Sequence, residues 1–265
     1  MLHGLPVHAK GWQPLRRYAI ILLALSGALV AAACGGSSEP DTPATVAPPA
    51  ATATLALPDA TATPEAPDLT VFHDWIYPIQ GGCLPQSDLL MPNAPREYRK
   101  GIHEGIDMYG VDSCTSIVDN TPALAAKDGV VIRADQEYQD LTQEQLDAAN
   151  ARIAAGEPNA FEVIDLFRGR QVWIDHGNGV VTRYAHLGGI PSDITVGRRV
   201  VQGEVVAYVG DSGTPESLTN PGQETHLHWE LRVGDTFLGE GLPPDEVRAI
   251  YQGLFEPVPA NASFE

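Results

Sequence analysis

Four residues in two short motifs have the types and spacing of a metal site: His103 and Asp107 in His103-Glu104-Gly105-Ile106-Asp107, and His226 and His228 in His226-Leu227-His228. The second pair sits in a stretch of apolar and β-compatible residues, Thr225 to Val233, and side chains two apart on a strand share a face. Their Cα atoms then lie roughly 6.5–7 Å apart, so one imidazole can bind an ion while its neighbour reaches a water or substrate on that ion. His103 and Asp107 cannot meet on an extended chain, where four residues cover roughly 13 Å. The chain must bend between them, and Gly105 is placed to allow it. Gly105 together with Tyr109-Gly110 favours an irregular segment over a helix. Two imidazoles and one carboxylate leave the fourth tetrahedral position to water, the pattern of a catalytic rather than a structural Zn2+.

The surrounding motifs extend this reading. The order H-x-x-x-D, then Tyr184-Ala185-His186-Leu187, then H-x-H followed by an aromatic and Glu230, resembles the lysostaphin-type (LytM-type) zinc metallopeptidases. Connecting segments are similar too, including Thr121 to Val131, Val172 to Gly179, Val196 to Gly203 and Gly210 to Thr214, so the resemblance spans roughly His103 to Leu231. It implies zinc ligation by His103, Asp107 and His228, and catalytic roles for His186 and His226. A bound zinc acidifies water and polarises a carbonyl, and a neutral imidazole nearby can take the water's proton. His226 is the expected general base, with His186 orienting the water or stabilising the tetrahedral oxyanion, and the two roles are exchangeable. No glutamate stands between two helical histidines, so Glu104 reads as incidental to the chemistry. His176 lies in a His-Gly-Asn-Gly turn signal, where a structural role is expected. Lys127 lacks the flanking residues of a carrier lysine despite the Gly-x-Val rhythm around it.

The elements that must position these residues are mostly β. Val130 to Arg133, Gln171 to Asp175, Val180 to Ala185, Val205 to Val209 and His226 to Val233 read as short strands between glycine-rich turns. Most connections are too short for the crossovers of a parallel sheet. The expected fold is therefore an antiparallel β-sheet or sandwich, which the resemblance identifies with the duplicated hybrid motif of lysostaphin-type peptidases. An insertion, residues 136–170, carries a capping box at Thr142 and Gln145 and a helix expected from Gln143 to Ala155, ended by Gly156. It reads equally as a wall over the groove or as a surface excursion. A second departure from the family pattern is the long loop Pro215 to Glu224, and a C-terminal helix is expected from Pro244 to Gly253.

The first quarter of the chain belongs to export rather than to the fold. Lys10, Arg16 and Arg17 precede an apolar run from Tyr18 to Ala33, which is the pattern of a signal peptide over residues 1–33 and is short for a membrane span. Ala31-Ala32-Ala33-Cys34 resembles a bacterial lipobox, departing from it in the small residue at Ala31, and that resemblance implies lipidation of Cys34. The alternative is an ordinary secretory signal with a free Cys34. Residues up to 68 are rich in Pro, Ala, Thr and Ser and read as an extended spacer. The metallopeptidase domain is expected over residues 69–265. Once Cys34 is assigned to the lipid, Cys83 and Cys114 remain as an even pair flanking the first metal motif, and a disulfide between them would suit an oxidising compartment.

The formal charge of −18 excludes a nucleic-acid partner, which requires a basic footprint, and it excludes adhesion to anionic lipid by surface charge. Membrane attachment is expected through the N-terminal lipid alone, on the bacterial cell membrane facing the wall. The residues by themselves support metal-assisted amide hydrolysis. The resemblance implies the substrate, peptide bonds in peptidoglycan stem peptides or cross-bridges. The alternative is a non-catalytic LytM-type domain that binds the wall or regulates another hydrolase, and such relatives lose ligands or histidines that this chain retains.

Overall fold

Short runs of β-branched and aromatic residues, separated by glycine turns, pair here into antiparallel sheets. The computed structural model describes residues 72–255, all within the unit Ala62–Glu265. The expected leader, Cys34 and the spacer lie outside the described residues. In chain order the strands are β1 (Pro95–Arg96), β2 (Gly101–Ile102), β3 (Ile106–Met108), β4 (Pro122–Leu124), β5 (Gly129–Ala134), β6 (Val172–Asp175), β7 (Val180–Ala185), β8 (Leu187–Gly189), β9 (Arg199–Val200), β10 (Val205–Val209), β11 (Leu227–Val233) and β12 (Thr236–Phe237). Helices α1 (Gln143–Ala154) and α2 (Phe161–Arg168) lie between β5 and β6, and α3 (Pro244–Phe255) follows β12.

The larger sheet runs β12-β11-β7-β6-β5-β9, with β3 also paired to β11, and a smaller one runs β4-β10-β8. Val131, Ile174, Tyr184 and Trp229 of the larger sheet join Ala123, Val206 and Val209 of the smaller in a single buried cluster. The Tyr184 hydroxyl accepts the Ala126 N–H at 2.9 Å, which gives the one polar atom of that side chain a partner inside the core. This is the mostly β, antiparallel architecture expected of the chain.

Boundaries follow the local chemistry. β7 and β10 have the expected limits, β5 extends one residue further at each end, and β6 begins one residue later. β11 begins at Leu227 rather than His226, because His226 makes only an isolated bridge to Gly210. The capping box is present in both arms: Thr142 accepts from the Gln145 N–H, and the Gln145 side chain accepts from the Thr142 N–H. α1 ends at Ala154, and α3 runs two residues beyond Gly253.

Helix α2 is absent from the sequence expectation for a physical reason. Its N-cap, Ala160, offers no side-chain acceptor, and what holds the helix is the packing of Val163 and Phe167 on Ala149 and Ile153 of α1. The expectation of an irregular segment applies to His103–Gly105 only, since Asp107 sits on β3. Gly105 is needed there because of crowding: a Cβ at that position would lie 2.5 Å from the Trp229 carbonyl oxygen.

Cys83 and Cys114 are disulfide-bonded, with Cα atoms 5.5 Å apart, and the loop they close contains His103 and Asp107. Among the described residues no helix is long and apolar enough to cross a membrane. With a sequence separation of 31, the chain-entropy model gives a disulfide contribution of about 3–4 kcal/mol. Replacing both cysteines with serine is expected to lower the unfolding free energy by that amount in a urea titration, and an unchanged midpoint would contradict it.

Candidate metal centre

The centre is assembled by backbone pairing before any side chain acts. Asp107 on β3 and His228 on β11 are direct cross-strand partners, so their side chains leave the same face of the sheet side by side. Along β11 the side chains of Leu227, Trp229 and Leu231 enter the core, and alternation sends His228, Glu230 and Arg232 to the opposite face. His103, just after β2, is tied to Ala94 by its N–H and to Asn93 by its carbonyl. These constraints bring His103 Nε2, Asp107 Oδ1 and His228 Nδ1 together: the distances are 2.9 Å (His103 to Asp107), 3.0 Å (His103 to His228) and 2.7 Å (His228 to Asp107). All three residues are buried.

The outer nitrogens fix both tautomers. His103 Nδ1 lies 3.0 Å from the Met91 carbonyl, which can only accept, so Nδ1 carries the proton and Nε2 presents a lone pair inward. His228 Nε2 lies 3.0 Å from Glu230 Oε1, and that carboxylate is held ionised: burial pushes its pKa up, but Arg168 and the facing His228 pull it far below the usual range. His228 Nδ1 is thereby turned inward. Two nitrogen lone pairs and a carboxylate oxygen within 3 Å of one another repel unless a cation or proton sits among them. The edge of a zinc tetrahedron with bonds of about 2.0–2.1 Å is about 3.3 Å, slightly longer than these separations. The donor set and its carboxylate-backed histidine thus suit zinc. Burial lowers the His103 pKa to about 4 despite Asp107, keeping the ring neutral for ligation. Burial would raise Asp107, but His103 and its hydrogen-bonding neighbours hold it well below the ordinary carboxylate range. Asp107 Oδ2 is taken by Arg96 at 2.6 Å, which leaves Oδ1 for the centre.

His186 and His226 stand beside the three donors. The His186 ring centroid is 4.6 Å from that of His226 and 5.7 Å from that of His228. His186 Nδ1 donates to the Ser212 carbonyl at 2.9 Å, and His226 Nδ1 donates to the Glu224 carbonyl at 2.6 Å. Each Nδ1 is thereby engaged, and His226 Nε2 is 3.6 Å from Asp107 Oδ1. Burial, then the neighbouring imidazoles, push the His186 pKa well below its ordinary value, so the ring is neutral. Its backbone has φ +58°, uncommon for a non-glycine residue.

Several neighbours were not singled out by the sequence reading. Glu104 is not incidental to the architecture, since it pairs with Arg168 at 2.8 Å and Arg232 at 2.6 Å. Tyr109 stacks on His226 with centroids 4.3 Å apart and donates to Glu224 at 2.9 Å. Neither set of contacts carried a legible signal, whereas Glu230 stands in the motif that begins with His226 and His228. His176 hydrogen-bonds Asp128 and Thr182 outside this cluster, in keeping with its structural reading. The five histidine and aspartate side chains open into a groove of ≈ 570 Å³ walled by Tyr98, Ile164 and Phe167.

A family model, peptidase family M23, matches residues 101–239. The chain belongs to that family. M23 peptidases are zinc-dependent. Among solved structures, a zinc-containing peptidase from Vibrio cholerae is 22% identical with a TM-score of 0.40, covering 65% of this chain and 42% of its own. The present chain thus spans less than half of that protein. The catalytic domain of a prophage-encoded M23 protein from Enterococcus faecalis is 20% identical with a TM-score of 0.39, covering 66% of this chain and 96% of its own. The catalytic domain of lysostaphin from Staphylococcus simulans is 17% identical with a TM-score of 0.34, covering 68% and 95% respectively. No curated protein matches the chain.

The geometry separates ligands from neighbours. His228→Ala removes a donor and is expected to purify without stoichiometric zinc, whereas His186→Ala is expected to retain it. Metal analysis after dialysis against weak chelator reads both, and retention of zinc by His228→Ala would refute the donor assignment.

Proposed function

We propose that this M23 chain is a zinc-dependent endopeptidase that hydrolyses peptide bonds in peptidoglycan stem peptides or cross-bridges, with His103, Asp107 and His228 as ligands and His226 as general base. The observation that carries it is the convergence of three lone-pair donors in an open groove, beside two imidazoles whose Nδ1 atoms are each held by a backbone carbonyl. When bound, zinc supplies Lewis acidity to a peptide carbonyl and acidifies water. His226 Nε2, the nearer of the two to Asp107 Oδ1, is placed to take a proton from the attacking water and pass it to the leaving amine. Neutral His186, with its only N–H committed to Ser212, acts as an acceptor that orients the water. Oxyanion stabilisation would need a second proton on its buried ring. Tyr109 fixes the plane of the His226 ring by stacking.

The same proposal includes export and attachment by a lipid on Cys34, supported by the cationic and apolar leader and by the polar spacer that follows it. The spacer gives the enzyme reach from the membrane to the wall. In cell fractions, Cys34→Ser is expected to move the protein from the membrane to the soluble pool. Continued detergent-phase partitioning would contradict a lipid anchor.

The decisive measurement is release of new amino groups from purified peptidoglycan by zinc-loaded protein. His226→Ala is expected to lower kcat by roughly 10²–10⁴-fold with zinc still bound. Stoichiometric zinc without cleavage across walls of different cross-bridge would favour a binding or regulatory domain instead.

A further inference from the structure

The two helices between β5 and β6 reach the metal centre through one residue. Arg168, the last of α2, is buried at 5% exposure. Its Nε donates to Glu230 Oε1 at 2.6 Å and its Nη2 to Glu104 Oε2 at 2.8 Å. Glu230 Oε1 is the same oxygen that accepts the His228 Nε2–H. The other cations near Glu230, Arg183 and Arg232, approach only Oε2, each at 3.4 Å. The position of Oε1, and with it the rotation of the His228 ring, is set by Arg168.

The main chain at the same point holds the second half of the centre. The Arg168 carbonyl accepts the His186 N–H at 2.8 Å, and the Arg170 carbonyl accepts the Leu187 N–H at 3.2 Å. Arg170 N–H in turn donates to Ser212 Oγ at 2.9 Å, and it is Ser212 whose carbonyl holds His186 Nδ1. Gly169, at φ +66°, packs against Ser212 so closely that a Cβ there would collide with it. His186 keeps its unusual backbone conformation because both neighbours in space are fastened to the end of α2.

We propose that α2 is a working part of the metal centre rather than a surface excursion, and that Arg168 is a positioning residue which fixes Glu230 and thereby directs His228 Nδ1 at the metal. The proposal rests on His103, Asp107 and His228 being the zinc ligands. Arginine suits the geometry: Glu104 and Glu230 come from different segments, and the rigid fork reaches them from two different nitrogens, Nε and Nη2. A lysine keeps the charge and three N–H groups, but all radiate from one nitrogen and hold neither carboxylate in a fixed plane.

The test is zinc affinity, measured by competition with chelators of graded strength on the full chain, with circular dichroism and melting to establish folding. Arg168→Met is expected to raise the zinc Kd by roughly 10–100-fold, the usual cost of losing an outer-shell partner. Arg168→Lys is expected to fall between it and the wild type. Val200→Ala trims the main core at β9, away from α2 and Glu230, and is expected to leave the Kd unchanged. Wild-type affinity in folded Arg168→Met overturns the proposal, and so does an equal loss in Val200→Ala, which would report general destabilisation alone. Should Arg168→Met fail to fold, the contrast between Arg168→Lys and Val200→Ala decides. A wild-type chain that takes up no zinc overturns the ligand assignment itself, and this inference with it.

Discussion

One backbone register supports the whole centre: across β3 and β11, Asp107 stands opposite His228. Shifting β3 by a single residue would turn the carboxylate to the other face and present Ile106 or Met108 to the histidines. Both of those side chains are fully buried, so the register is enforced by the core and not by the metal ligands. Gly105 makes the approach possible by letting the chain enter β3 against the Trp229 carbonyl. His103 arrives from the bend just before this glycine, and the disulfide between Cys83 and Cys114 closes the loop that contains the motif. The hydrophobic side of a three-residue strand therefore decides where the polar side does its chemistry.

That arrangement buries charge that burial alone would expel, and the surrounding arginines account for its persistence. Glu230 is fully buried and Glu104 partly so, and Arg168, Arg183 and Arg232 surround them. Arg96 does the same for Asp107. Isolated carboxylates in an apolar site would take up protons, whereas Glu230 and Asp107 stay ionised with cationic partners within hydrogen-bond reach. Burial still acts on the cations: it lowers the Arg183 pKa to about 10, with Glu230 opposing it. A chain with a formal charge of −18 thus sets four of its 16 lysines and arginines, Arg96, Arg168, Arg183 and Arg232, around one site. Net charge describes the exterior, while the chemistry is governed by this local balance.

Much of this was legible in the sequence wherever local pattern and tertiary demand agree. The alternation of β7 and β10 gave their limits because one face of each enters the core, and Thr142 with Gln145 marked the start of α1 because capping is a local interaction. The two metal motifs could be paired because histidines at strand spacing, and a histidine and carboxylate around a glycine, are unusual enough to stand out. Helix α2 was not legible, since it lacks a cap and is stabilised by α1. Arg168 was invisible for the same reason: its partners lie 62 and 64 residues away, and no spacing rule connects them. The ion pairs of Glu104 with Arg168 and Arg232 were not legible either, because those partners lie far along the chain.

The four histidines of the centre show how partner, not residue type, assigns function. His103, His186 and His226 each give their outer proton to a backbone carbonyl, from Met91, Ser212 and Glu224. A carbonyl is a fixed neutral dipole, so it orients the ring without strongly stabilising a second proton. His228 alone is backed by a carboxylate, and burial notwithstanding, Asp107 and Glu230 raise its affinity for positive charge. The same two carboxylates that favour a proton on His228 favour a divalent cation in its place, because both compete for the lone pair on Nδ1. His228 is thus the ring whose surroundings most favour positive charge, while burial keeps His103 and His186 neutral. The motifs sort the four imidazoles by resemblance, and the physical difference between them is made by what each outer nitrogen touches.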